Sequence, residues 1–211
     1  MYMDEFLKQI EALKIVPVVV LEDVKDAIPL GQALMDGGLP AAEVTFRTEA
    51  AADCIKAMSE AFPEMNVGAG TVITREQCER AVAAGAKFIV TPGYSEEVTE
   101  YCIENEIPIL PGICTPTELI KVVNHGLPVA KFFPASNYGG LKTIKALAGP
   151  FPKMRFMPTG GVNEGNVQEY LAEPKIIAAG GSWMVKGDLV KAGKFDEIEE
   201  LTRRAVALVN A

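Results

Sequence analysis

Imidazole is nearly absent from this chain. One histidine, His125, stands among 211 residues, so any metal site that needs two or three imidazole ligands is excluded. Cysteine is sparse as well. Cys54, Cys78, Cys102 and Cys114 lie far apart and form no C-x-x-C pair. That pattern excludes a zinc knuckle or a stapled secreted scaffold and points to reduced thiols in a cytoplasmic setting. Basic blocks are missing too. Acidic residues outnumber basic ones by 28 to 20, for a formal net charge of −8, which argues against nucleic acid or an anionic membrane as the partner. No apolar run approaches the roughly 20 residues that cross a bilayer. The N-terminus, M-Y-M-D-E-F-L-K-Q-I, is charged and helical in pattern, without the form of a signal peptide.

What the chain does have is a recurrence of short apolar segments, each followed by turn chemistry. They cover residues 15–20, 42–46, 66–72, 88–91, 107–110, 129–133, 155–158 and 176–179, at a mean interval of about 23 residues. That interval accommodates a strand, a loop, a helix of about three turns and a second loop. Helix punctuation sits between the segments. Thr74-Arg75-Glu76-Gln77 and Thr115-Pro116-Thr117-Glu118 read as capping boxes, ended by Gly85 and Gly126. Asp23 and Ser95 are candidate caps for two more helices. Helical spacing runs over 188–209, with a glycine at 193, and a first helix over 3–13 is expected to lie across one end of a barrel.

Eight strands alternating with helices suit a single α/β domain over 1–211, a closed (β/α)8 TIM barrel with an N-terminal helix. An open doubly wound sheet is the rival, but no G-x-G-x-x-G follows the first segment. In a barrel, function gathers at the C-terminal strand ends. There the sixth segment reads Val129-Ala130-Lys131-Phe132-Phe133. Of the 14 lysines, Lys131 alone falls inside a predicted strand. An ammonium in that apolar context loses hydration, which favours the neutral amine, a nucleophile for ketones. An outward lysine snorkelling between helices fits the same local sequence. On the second segment, alternation puts Glu43, Thr45 and Arg47 on one face. Glu43 and Arg47 are then about 13 Å apart. Such a face suits a proton-transfer carboxylate low in a site and a guanidinium at its rim; the competing reading is an ion pair across the barrel.

Glycines and prolines mark the remaining strand ends: Gly68-Ala69-Gly70-Thr71, Thr91-Pro92-Gly93 and Pro111-Gly112. Singly these are ordinary turn residues; their repetition on one rim is what informs. Two glycine pairs, Gly160-Gly161 after Thr159 and Gly180-Gly181 before Ser182, follow the seventh and eighth segments. Those are the barrel positions where backbone N–H groups often hold phosphate. His125 reads as a cation at a helix end, Trp183 as packing or a pocket wall, and the cysteines as core.

Taken together, G-L-P-A-A-E-V-T-F-R-T, V-G-A-G-T-V, V-T-P-G, I-P-I-L-P-G, V-A-K-F-F-P-A, M-P-T-G-G-V and G-G-S-W resemble the bacterial 2-keto-3-deoxy-6-phosphogluconate (KDPG/KHG) aldolases over nearly the whole chain. The resemblance implies a class I, Schiff-base aldolase on a (β/α)8 barrel, a cytoplasmic homotrimer that needs no metal or other cofactor. Its substrates would be a phosphorylated keto sugar acid and pyruvate. The family's Schiff-base lysine falls on Lys131 and its proton-transfer glutamate on Glu43. Its pyruvate-carboxylate site falls on Arg47 and Thr71, with Pro92 and Phe133 shaping the pocket. Thr159 falls near the substrate hydroxyls, and Gly160, Gly161, Gly181 and Ser182 at the phosphate end. One departure stands out: Ser136-Asn137-Tyr138 follows F-F-P-A where bifunctional members have Glu, which bears on the aldehyde partner. Rival readings are a phosphate-binding barrel isomerase or epimerase, a metal-dependent aldolase, and a non-catalytic sensor of phosphorylated sugar acids.

Overall fold

The computed structural model describes residues 2–211. Helix α1 (Tyr2–Leu13) leads into β1 (Ile15–Val19), α2 (Ala27–Asp36), β2 (Ala41–Thr45), α3 (Ala51–Ala61) and β3 (Asn66–Gly70). Next come α4 (Arg75–Ala83), β4 (Ile89–Val90), α5 (Glu96–Glu104), β5 (Ile109–Leu110), β6 (Gly112–Ile113) and α6 (Pro116–Asn124). The chain continues through β7 (Val129–Phe132), α7 (Gly140–Ala148), β8 (Arg155–Pro158), α8 (Val167–Leu171), β9 (Ala179–Gly181), α9 (Gly187–Lys191) and α10 (Phe195–Asn210). Every strand pairing is parallel. The strands form a curled α/β arrangement of two sheets, β5-β4-β3-β2-β1-β9 and β6-β7-β8. Two isolated parallel bridges, Phe156 to Ile176 and Thr159 to Gly180, run between the β8 and β9 segments.

Strand alternation sorts the core into two layers. Ile15, Val19, Val44, Ile89, Ala130, Phe132 and Phe156 face the helices. Val16, Val90, Leu110, Val129 and Met157 face the other way and meet Met3, Phe6, Leu7 and Ile10 of α1. Helix α1 therefore closes one end of the strand array, with the Phe6 and Phe88 rings tilted against each other at 4.9 Å between centroids. Each large side chain buried here contributes about 1.5–3 kcal/mol.

Local signals explain most boundaries. Thr115 and Glu118 form the reciprocal capping box ahead of α6, with Pro116 at its first position. Thr74 caps α4 through Gln77 N at 3.2 Å, and Ser95 caps α5 through Val98 N. Asp23 instead caps a short 3-10 turn, Val24–Asp26, that precedes α2. Three expectations shift. The fifth strand is two pieces, because Pro111 between them has no N–H to give to a ladder. The eighth moves towards the glycine pair, leaving only a single bridge at Ile176. The helix expected over 188–209 divides into α9 and α10, because Gly193 turns the chain at φ +66°.

Candidate active site

The inner face of β2 and the inner face of β7 each present one charged side chain. Glu43 pairs in register with Val18 and Gly68, and Lys131 with Gly112 and Met157. Val129 packs in the inner layer while Ala130 and Phe132 pack against the helices, so alternation turns Lys131 inward. The two side chains meet: Lys131 Nζ donates to Glu43 Oε1 at 2.9 Å, with the side chains 5 % and 0 % exposed. Glu43 Oε2 is buried without a partner. A Cβ at Gly70 would collide with the Glu43 carboxylate, so glycine there leaves the carboxylate its room. Thr45 Oγ1 donates to Val19 O at 2.9 Å, tying β2 to β1 beside the pair.

Above this pair the strand ends enclose a cavity of about 510 Å³. Phe133 links the two levels: its ring lines the cavity, and its centroid lies 5.3 Å from Lys131 Nζ. Arg47 and Lys186 are the charged side chains of the wall. Both are exposed, and neither has an ion-pair partner among the described residues. Thr159 is buried in the wall with its Oγ1 unpartnered. Gly160 and Gly161 adopt φ of +95° and +78°, a left-handed path that glycine takes without strain. Ser182 lies exposed beyond Gly181. A Cβ at Gly181 would overlap the Trp183 indole, which forms part of the same wall. A buried amine paired with a carboxylate, beneath a cavity carrying two free cations, can hold a dianionic carbonyl compound and move protons at its carbonyl end.

The family model for KDPG and KHG aldolase matches residues 6–201. The chain belongs to that family.

Among its relatives in this aldolase family, the 2-dehydro-3-deoxy-phosphogluconate aldolase of Treponema pallidum is 44% identical over 200 residues, 95% of each chain. The KHG/KDPG aldolase of Escherichia coli K12 is 44% identical over 192 residues, 91% of this chain and 90% of that one. A solved structure of the KDPG aldolase of Legionella pneumophila superposes with a TM-score of 0.90 at 39% identity, over 94% of this chain and 97% of that one. It holds pyruvate captured at low pH as a covalent carbinolamine intermediate.

Of the residues singled out from the sequence, Arg47, Phe133, Thr159, Gly160, Gly161, Gly181 and Ser182 line one cavity, and Lys131 and Glu43 meet beneath it. Thr71 and Pro92 are not in the cavity wall. Thr71 follows β3 at φ +56°, and the backbone of Pro92 lies where a Cβ on Gly112 would go. His125 caps α6, its Nδ1 2.9 Å from Tyr94 Oη, and is not in the wall. The cysteines are free. Burial pushes the Cys54 thiol up to about 11. Cys78 and Cys102 meet at 3.6 Å between α4 and α5. Val18, Val20 and Lys186 are wall residues that the sequence reading missed. The signal for Lys186 was its place four residues after Ser182, in G-G-S-W-M-V-K-G. No helix among the described residues is long and apolar enough to cross a membrane.

Proposed function

We propose that this protein is a class I aldolase. It cleaves 2-dehydro-3-deoxy-6-phosphogluconate into pyruvate and glyceraldehyde 3-phosphate through a Schiff base on Lys131. The observation that carries the reading is the buried 2.9 Å contact between Lys131 Nζ and Glu43 Oε1. Its support from outside the chain is the family membership and the covalent pyruvate adduct of the Legionella protein.

Transfer of the shared proton to Glu43 frees the amine and removes two charges from a dry site, where they are costly. The amine attacks the ketone carbon, C2, and the carbonyl oxygen takes up a proton, giving a carbinolamine. Loss of water then leaves a protonated imine. Glu43, once more a carboxylate, takes the proton of the C4 hydroxyl, directly or through a water. The C3–C4 bond breaks, its electrons pass into the imine, and the aldehyde leaves. The enamine that remains is protonated at C3, and water releases pyruvate and restores the amine. Arg47 binds the carboxylate at C1 and so fixes the ketone against Lys131. Phe133, Thr71 and Pro92 shape that end. Thr159 offers its unpartnered hydroxyl to the hydroxyls of the sugar acid, and Gly160, Gly161, Gly181 and Ser182 take the phosphate. Cleavage of 4-hydroxy-2-oxoglutarate to pyruvate and glyoxylate runs through the same steps. Ser136 and Gly161 lie side by side, which puts the departure from the bifunctional pattern next to the aldehyde end.

The same reading takes residues 1–211 as one domain and the two curled sheets as one closed (β/α)8 barrel. The two bridges between the β8 and β9 segments support closure, as does the single residue, Pro111, between β5 and β6. A homotrimer in the cytoplasm is what the family resemblance implies. An isomerase or epimerase has no need of the buried amine, and neither has a sensor.

Borohydride reduction in the presence of pyruvate tests the assignment. Mass is expected on the peptide that holds Lys131 and on no other. Mass elsewhere, or none, overturns the reading. Lys131→Ala should lose more than the about 10²- to 10⁴-fold that a single acid–base group supplies, since the covalent route itself is gone.

A further inference from the structure

We infer that Lys186 is the side chain that selects phosphorylated over unphosphorylated keto acids at this site, by pairing with the phosphate from the outer wall of the cavity. The inference rests on the aldolase reading above and adds a residue to it. On a chain of net charge −8, the charged side chains of the cavity wall are two cations, Arg47 and Lys186. The proposed substrate has two anionic ends, a carboxylate on C1 and a phosphate on C6. Arg47 follows β2 and Lys186 follows β9, and in the sheet these strands flank β1. The two cations thus stand on either side of β1 in the wall of one cavity, so a ligand with charge at both ends can meet both. Lys186 shares the wall with Gly160, Gly161 and Ser182, so one phosphate can meet backbone amides, a hydroxyl and an ammonium together.

Lys186 is also an unspent cation. On its far side it borders a depression that carries Asp188, Asp196, Glu197 and Glu200. Carboxylates are thus at hand, yet Lys186 forms an ion pair with none of them. Its side chain is exposed, so its removal leaves no buried hole and no orphaned partner. Screening by solvent limits what one exposed cation contributes, but a dianion held also by backbone groups is the ligand for which it contributes most.

The experiment compares Lys186→Gln and Lys186→Arg with the parent enzyme. Each is assayed on 2-dehydro-3-deoxy-6-phosphogluconate and on its unphosphorylated counterpart, with borohydride trapping of pyruvate run in parallel. Lys186→Gln should raise KM for the phosphorylated acid about tenfold, as loss of one charge-assisted contact does. It should leave kcat, KM for the unphosphorylated acid and the trapping of pyruvate unchanged. Lys186→Arg should restore most of the loss. An unchanged KM for the phosphorylated acid, or an equal rise for both acids, overturns the assignment while trapping stands. Failure of trapping in the parent enzyme removes the aldolase reading and this assignment with it.

Discussion

The floor of the cavity and its rim handle charge in opposite ways. On the floor, Glu43 and Lys131 are almost wholly buried and are neutralised by one another across 2.9 Å. At the rim, Arg47, Ser182 and Lys186 are exposed, and the remaining wall there is largely glycine backbone and apolar side chains. A charge on the floor interacts strongly because little water screens it, and for the same reason it cannot be left alone. A charge at the rim interacts weakly, tolerates solitude and waits for a ligand. Bond-making belongs on the floor, where a proton moved by one ångström changes the energy most. Recognition belongs at the rim, where several modest contacts add.

The largest effect that can break this comparison is on stability. Lys131→Met leaves a buried carboxylate without its partner, and about 3–5 kcal/mol of stability should go. The double variant Lys131→Met/Glu43→Gln, which carries no formal charge on the floor, should recover most of it. Urea unfolding of both variants against the parent reads the difference. A single variant as stable as the parent would mean that water reaches the floor and that the contrast with the rim is false.

A smaller effect comes from the rim. Ser182→Ala removes an exposed hydroxyl, so unfolding should shift by less than about 0.5 kcal/mol. KM for the phosphorylated substrate should rise by roughly tenfold, the lower range for a hydrogen bond to a charged group, with kcat held. A fall in kcat at constant KM would place the rim in the chemistry and erase the division.

How much of this was legible beforehand depended on whether the signal was local. The inner face of β2 was readable because polar Glu43 and Thr45 alternate with apolar Ala42 and Val44. The orientation of Lys131 was not, because its neighbours Val129, Ala130, Phe132 and Phe133 are all apolar and offer no contrast between faces. Only the packing of Val129 against α1, with Ala130 and Phe132 against the outer helices, decides it. The cap at Thr115 was readable because four consecutive residues carry it. The division of the last helix was misjudged because one glycine is a weak breaker unless the chain also turns there, as Gly193 does. Cys78 and Cys102 are 24 residues apart, about one strand–helix repeat. Their meeting follows from stacking equivalent positions of neighbouring helices, which no single segment announces. Lys186 was passed over because an exposed lysine looks the same in sequence whether it faces solvent alone or a cavity.

The smallest expected effect concerns a carboxylate that belongs to neither region. Glu118 is part-exposed in the capping box of α6, and accepts from Cys114 N at 2.8 Å and from Thr115 N and Oγ1 at 2.9 and 2.8 Å. Burial pushes its carboxyl upward, but these hydrogen bonds outweigh burial and hold it below the ordinary 4.5. A carboxylate whose folded value is depressed contributes stability that is complete above its unfolded value and lost as pH falls through the folded one. The contribution should therefore be present at neutrality and fade from about pH 4.5 downward. Glu118→Gln keeps an acceptor in the box but cannot titrate. It should cost about 0.5–1 kcal/mol near neutral pH, the scale of a helix cap, and less at an acid pH, as the medium falls through the depressed folded value of Glu118. Urea unfolding at the two pH values separates the cases. A cost that stays constant with pH would assign the loss to packing and not to charge. A cost as large as that of breaking the floor pair would mean that exposure does not govern what a charge is worth in this fold, and the contrast between floor and rim would lose its physical basis.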